Sequence, residues 1–185
     1  MVPQPSVILA GGLGRRMGGV VKPLIEIGGR TVLERTLDVV GRPVAVAGAA
    51  FPGLLSLPDA IPGRLGPLAG MLAAMEWAEG AVLTVPGDAP FLPPDLVDRL
   101  RAAGAPCVAA SGGRAHPVVG LWPVALAPVL RGMLEGGERR AGAFAAAVGA
   151  RAVEWAVGEA DPFLNLNTPG DVGRARAALA GGPGG

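Results

Sequence analysis

Residues 11–23 of this 185-residue chain read Gly-Gly-Leu-Gly-Arg-Arg-Met-Gly-Gly-Val-Val-Lys-Pro and come directly after a short apolar run, residues 6–10. The stretch holds five glycines, two adjacent arginines and a lysine in thirteen residues. Glycines let a backbone approach a ligand closely and aim amide N–H groups at it. Arg15 and Arg16 add forked donors and Lys22 adds a point charge. Together they suit a polyphosphate. A glycine-rich turn with solvated arginines is the plainer alternative. Two familiar phosphate motifs fail: Gly14 and Gly19 have the Walker spacing but Val20 and Val21 come next, and Gly12 and Gly14 begin a dinucleotide fingerprint that Met17 interrupts.

A second polar cluster, Gly-Asp-Ala-Pro at 87–90, ends another apolar run. Asp88 there either shapes a turn or holds Mg2+, a cation that takes one or two carboxylates plus phosphate oxygens and water. His116 is the sole histidine, so it makes no histidine-cluster metal site; it is structural or it touches a substrate. Arg139 and Arg140 are a solvated charge pair or a phosphate contact. Asn165 and Asn167 alternate with Leu164 and Leu166, which puts both amides on one face of an extended segment. Cys107 lies in an apolar run without an adjacent base and reads as core, as do Trp77, Trp122 and Trp155.

The elements that must position these residues are legible as patterns. Apolar strand-like runs recur at 6–10, 23–27, 43–49, 81–87, 106–111 and 116–122. Helical spacing lies between many of them. A helix begins after Thr31, whose partner Glu34 completes a capping box. Others run through Gly-Met-Leu-Ala-Ala-Met-Glu-Trp and Pro-Pro-Asp-Leu-Val-Asp-Arg-Leu. The last starts with Thr168 as N-cap, Pro169 at the first helical position and Asp171 three residues after the cap. Apolar strands alternating with helices predict an α/β fold: one Rossmann-like three-layer domain over residues 1–180 with a mainly parallel sheet, then a frayed glycine-proline tail at 181–185. Ligands of such sheets bind beyond the carboxyl ends of the strands, where both polar clusters fall.

Composition excludes several classes. Half of the residues are hydrophobic, but no apolar run approaches the ~20 residues that span a bilayer. The start has no basic n-region, so no signal peptide is expected. A single cysteine forms no internal disulfide, which favours a reducing cytoplasm. Sixteen basic against fifteen acidic residues provide no global field for nucleic acid or membrane. Attraction to an anion must be local.

Beyond these physical readings, the stretch Leu-Ala-Gly-Gly-Leu-Gly-Arg-Arg-Met-Gly-Gly-Val-Val-Lys-Pro-Leu resembles the signature of small nucleotidyltransferases, and most closely that of the molybdenum cofactor guanylyltransferases. Later blocks resemble the same family in order: Gly-Pro-Leu-Ala-Gly-Met-Leu at 66–72, the segments 87–100 and 116–122, Gly-Glu-Arg-Arg at 137–140, and 163–172. The resemblance implies transfer of GMP from GTP to molybdopterin with Mg2+ as cofactor and release of pyrophosphate. It further implies, as partners, cofactor-biosynthesis proteins and acceptor molybdoenzymes. It assigns nucleotide contacts to Leu9, Ala10, Gly11, Gly12, Gly14, Arg15, Lys22, Asp59, Gly66, Pro67, Leu68 and Asp88. Arg15, Lys22 and Asp88 would be catalytic, and Asp88 the metal ligand. It places the acceptor near His116, Arg139, Arg140, Asn165 and Asn167. Asp59 would pair with the guanine edge or contact another part of the nucleotide. Two departures stand out. Val21 precedes Lys22 where relatives often have Asp, and residues 43–50 offer no polar side chain near the base, which leaves backbone around Ala47 and Gly48. Rival readings are transfer from CTP or to a sugar phosphate, and a noncatalytic nucleotide-binding regulator.

Overall fold

The structure, a computed structural model, describes residues 4–11, 19–58, 60–61 and 66–181. In chain order it contains β1 (Ser6–Leu9), a 3-10 turn (Lys22–Leu24), β2 (Glu26–Ile27), β3 (Arg30–Thr31), α1 (Val32–Val40), β4 (Val44–Ala47) and β5 (Leu55–Leu57). It continues with α2 (Pro67–Trp77), β6 (Ala81–Pro86), α3 (Leu96–Ala103), β7 (Cys107–Ser111), β8 (Arg114–Pro123), α4 (Ala127–Glu135), α5 (Ala141–Ala147), β9 (Arg151–Trp155) and α6 (Pro169–Gly181). Seven strands form one sheet in the order β5-β4-β1-β6-β8-β7-β9. Six run the same way and only β8 is antiparallel to its neighbours. The fold is therefore the expected Rossmann-like α/β class.

Successive side chains of a strand point to opposite faces, and β1 uses this to join two cores. Val7 packs with Leu68, Met71 and Leu72 of α2, Leu130 of α4 and Phe144 of α5. Ile8 packs with Leu33 of α1 and with Leu96 and Leu100 of α3. These are the outer layers of the sandwich, and the sheet is buried between them.

A third cluster stands apart and matters for the site. Ile25, Ile27 and Val32 pack against Leu166, Val172 and Ala175. It clamps the hairpin of β2 and β3 to α6. Here the structure corrects one expectation: residues 23–27 are no sheet strand. Pro23 has no N–H for a ladder and instead sits inside the 3-10 turn. Beyond that turn, β2 is only two residues long and pairs with β3 alone. Both anticipated caps form. Glu34 N–H donates to Thr31 Oγ1 at 3.1 Å while Thr31 N–H donates to Glu34 Oε2 at 2.7 Å. Asp171 does the same for Thr168 and also accepts from Asn167 N–H at 2.9 Å.

The edge strands β5 and β9 are short and largely exposed, so neither carries an apolar run. The strand at 116–122 begins two residues earlier than its apolar pattern and contains a bulge. Val108 pairs with Gly120 but Ala109 pairs with His116, so residues 117–119 of β8 face no partner on β7. The tail beyond Gly181 lies outside the described residues.

The carboxyl edges of β1 and β4 are locked together by backbone. Ala10 N–H donates to Ala47 O at 2.9 Å. A Cβ on Gly48 would stand 2.4 Å from Gly11 Cα and 2.7 Å from Gly11 N, and Gly48 has φ +84°. Only glycine allows both the approach and the dihedral. Gly48→Ala is expected to lose about 1–3 kcal/mol, the usual cost of such strain, read as a lower midpoint in a denaturant titration.

Candidate functional site

Leu9 ends β1 and Pro86 ends β6, and the two are register partners. The residues after each strand therefore lie side by side. Gly87 N–H donates to Leu9 O at 2.9 Å and extends the pairing one step. Gly87 also lacks the Cβ that would stand 3.0 Å from Pro23 Cγ. Pro23 seats in that space and carries Lys22 to the next residue along, Asp88.

Lys22 Nζ donates to Asp88 Oδ2 at 2.7 Å and to Asn167 Oδ1 at 2.7 Å. The pair is well shielded, with the lysine side chain 15% and the aspartate side chain 19% exposed. Asn167 is held over it from two sides. Its own N–H is bound by the α6 cap, and the neighbouring Leu166 N–H donates to Asp88 O at 2.9 Å. Leu9, Ala10, Lys22, Pro23, Gly87 and Asp88 line one cleft. Polar groups converging in a cleft at the carboxyl edge of parallel strands are what a charged-ligand site requires.

Three expectations from sequence meet in this cleft: Leu9 with Ala10, Lys22, and Asp88. Gly11 comes directly after Ala10 and packs against Gly48. Gly12, Gly14, Arg15, Arg16 and Asp59 lie outside the described residues. Ala47 O is already bound to Ala10 N–H, so free backbone near that loop starts at Gly48. Gly66 caps α2 with φ +72° and Pro67 is its first residue. Leu68 is fully buried in the core, which leaves only its backbone for a ligand.

The remaining candidates divide into two other places. Gly66 neighbours Arg139, since a Cβ there would stand 4.0 Å from Arg139 O. Arg139 Nη1 donates to Leu134 O and Glu138 O, both at 2.7 Å. Arg140 forks onto Glu138, at 3.1 Å and 3.0 Å. That fork, with the amides of Arg140 and Arg139, pulls the Glu138 carboxyl down to about 2. Both guanidinium groups are exposed but locally tethered. His116, on β8, contacts Ser111 at the end of β7, and Ser111 in turn donates to Asp161 in the segment after β9. Asn165 and Asn167 are both exposed, while Leu166 is buried and Leu164 half-buried. The alternation read from sequence therefore holds, although residues 164–167 form no strand. The Asn167 side chain accepts from Lys22. Cys107 and Trp122 are fully buried.

Sequence reasoning missed Ser111 and Asp161. Ser111 had a visible signal, a polar residue closing a buried strand much as Asp88 comes just after β6. Among the described residues no three acidic, histidine or cysteine side chains group as a metal cage, and no helix is long and apolar enough to cross a membrane.

Comparison with known proteins adds family. Residues 6–152 match the MobA-like NTP transferase domain. A molybdenum cofactor guanylyltransferase of Acidiphilium cryptum is 46% identical over 186 residues, covering 93% of both chains. One from Rhodopseudomonas palustris is 42% identical over 200 residues, covering 95% of this chain and 94% of that one. The crystal structure of molybdopterin-guanine dinucleotide biosynthesis protein A from Archaeoglobus fulgidus superimposes with a TM-score of 0.75 at 20% identity, covering 96% and 99% of the chains.

The seat of Pro23 on Gly87 makes a test of the geometry. Gly87→Ala pushes Pro23, and with it Lys22, by a few tenths of an ångström. On the catalytic role expected of Lys22 from the sequence, a small misplacement is costly, and nucleotidyl transfer should slow by about tenfold or more. The circular dichroism spectrum should stay that of the folded chain.

Proposed function

The chain belongs to the MobA-like NTP transferase domain family and is a nucleotidyltransferase, and from that premise we propose that it transfers GMP from GTP to molybdopterin with release of pyrophosphate. The observation that carries this reading is the Lys22–Asp88 pair, 2.7 Å long, beside the loop that leaves β1. Relatives named as molybdenum cofactor guanylyltransferases, 46% and 42% identical along nearly the whole chain, support the choice of donor and acceptor.

The reaction is an in-line displacement. A phosphate oxygen of molybdopterin forms a bond to the α-phosphorus of GTP, and the bond from that phosphorus to the pyrophosphate oxygen breaks. A phosphate monoester is largely dianionic at neutral pH, because its second pKa is about 6. No serine, cysteine or histidine nucleophile is needed. The chain's work is positioning and neutralisation of charge. Amides of residues 9–14 with Arg15 hold the triphosphate. Lys22 stabilises charge on the transferring and leaving phosphates, and Asn167 keeps its ammonium aimed at them. Gly66, Pro67 and Leu68 offer backbone to the nucleotide, and Asp59 accepts from guanine or from another part of it. Arg139 and Arg140 keep guanidinium donors toward solvent for an acceptor phosphate, and Asn165 and His116 line the acceptor side. The reaction runs in the cytoplasm, where Cys107 stays a buried thiol.

The donor set fits Mg2+. Asp88 Oδ2 is bound to Lys22, while Oδ1 has no hydrogen-bond partner among the described residues. One carboxylate oxygen is enough for a cation that completes its shell with water and phosphate oxygens. When bound there, Mg2+ supplies neutralisation of phosphate charge.

Two outcomes test the reading. Asp88→Asn keeps turn hydrogen bonding but removes the charge that a hard cation selects. The variant should fold, bind GTP and lose nearly all transfer, with slight recovery at high Mg2+. Wild-type turnover at low Mg2+ would remove Asp88 from the metal site. Incubation with molybdopterin, Mg2+ and each nucleoside triphosphate, with products identified by mass, should favour GTP over CTP and ATP by at least about a hundredfold. Sites that hydrogen-bond a polar edge reach ~10⁴ or more; the lower figure reflects the missing polar side chain near Ala47. A cytidine product would replace the donor assignment.

A further inference from the structure

The carboxyl edge of the sheet carries a second polar constellation, two strands from the first. Asp88 lies just past β6 and Ser111 closes β7, with β8 between them. Two strand spacings are about 10 Å. The segment from Asp161 to Asn167 runs between the two groups, since Asp161 binds Ser111 and Asn167 binds Lys22. The β8 bulge brings His116 level with Ala109 and so beside Ser111.

Ser111 is 2% exposed and its hydroxyl has one proton. It donates to Asp161 Oδ1 at 2.8 Å. Its 2.7 Å contact with His116 Nε2 must then be one that the hydroxyl oxygen accepts, so Nε2 carries the imidazole proton. Asp161 Oδ1 is itself fixed by Phe163 N–H at 2.8 Å. The imidazole lies against the Phe163 ring, centroids 4.8 Å apart, and Phe163 meets Trp155 edge-on at 5.5 Å. Position, tilt and tautomer of the ring are all determined.

Nδ1 of His116 has no hydrogen-bond partner among the described residues, and none of their buried polar side-chain atoms is unpaired. Solvent therefore reaches Nδ1. Burial pushes the imidazole below its ordinary value, against the opposing pull of Asp161, while Arg114 lowers it further and Glu154 raises it. These charged groups and Ser111 come from β8 itself, from β9, from the segment after it and from β7. Burial thereby favours the neutral ring, in which an Nε2–H imidazole offers the Nδ1 lone pair.

We propose that His116 Nδ1 is a recognition point for a ring N–H donor of the acceptor's heterocycle, and that Ser111 and Asp161 are positioning residues that hold the imidazole in the Nε2–H tautomer. The proposal rests on the transfer reading above for the identity of the acceptor, but the tautomer does not. A ring free to rotate or change tautomer could offer either a donor or an acceptor at this point; this one offers only an acceptor. Protonation of Nδ1 turns the acceptor into a donor and closes the site to an N–H group.

The chain's single histidine makes the test direct. Nitrogen-15 NMR of the imidazole in the full-length protein should show Nε2 protonated and Nδ1 bare at neutral pH. Ser111→Ala should release the ring to a mixture of tautomers. His116→Gln keeps a side-chain donor toward Ser111 but leaves no Nδ1. It should raise the KM for molybdopterin roughly ten- to hundredfold, the range expected for one lost ligand hydrogen bond to a buried partner, while GTP affinity stays that of the wild type. In the wild type the KM for molybdopterin should also climb as pH falls through the lowered imidazole pKa, and His116→Gln should show no such climb. A purely structural histidine would lower the thermal midpoint without this split. An Nδ1–H tautomer in the wild type, or an unchanged molybdopterin KM in a folded His116→Gln protein, overturns the proposal. Absence of any dinucleotide product from wild-type protein refutes the transfer reading instead, and the nitrogen shifts still decide the tautomer.

Discussion

An ammonium and a carboxylate 2.7 Å apart, each more than four-fifths shielded, impose conditions on everything around them. Charges taken out of water need close geometry and further hydrogen bonds, or the desolvation cost is not recovered. Lys22 meets the first condition through Pro23, which sits where Gly87 has no side chain. Asn167 meets the second. Their positions in the chain are 66 and 145 residues from the partners they meet. The parallel pairing of β1 with β6, the clamp of α6 on β2, and the cap that fixes Asn167 N–H all converge on this one contact.

That pair has a consequence for function. In the free protein Lys22 neutralises Asp88, so the cleft carries a positive and a negative group already matched. On the function proposed above, an incoming triphosphate would offer Lys22 a stronger anion and leave the carboxylate available to a cation. On the same reading, nucleotide and metal binding would be linked through one lysine. The chain's near-zero net charge fits this economy, since the attraction is local and short in range.

The sheet's single antiparallel strand divides its carboxyl edge. On one side, β4, β1 and β6 end in backbone-rich loops where Gly11 and Gly48 touch. On the other, β7 ends and β8 begins with side chains that bind one another, Ser111 and His116, joined by Asp161 from the crossing segment. Backbone amides suit phosphate, whose oxygens accept from any N–H. A fixed imidazole suits a heterocycle with directional donors. The two halves thus differ in chemistry. The segment 161–167 touches both, through Asp161 on Ser111 and Asn167 on Lys22, and so links them physically.

Local signals were legible in the sequence because their causes are local. Both helix caps, Thr31 with Glu34 and Thr168 with Asp171, join residues three apart. The runs at 6–10, 43–49 and 81–87 needed only their own apolar character to be read as buried parallel strands, and the glycine and aspartate clusters at the ends of two of them named the edge where chemistry would sit. The resemblance in blocks supplied the family. Residues 23–27 misled because Ile25 and Ile27 are buried, as strand residues would be, but against Leu166 and against Val172 of α6 rather than in the sheet. Nothing in the composition of residues 164–167 says that Asn167 turns to Lys22, nor does the 106–111 run say that Ser111 turns to His116 and Asp161. The direction of β8, its bulge and the order of the strands were likewise decided only by tertiary structure. Periodicity records which face of an element is buried. It carries no identity for the partner across 50 or 145 positions of chain, and that identity is settled only when the layers close.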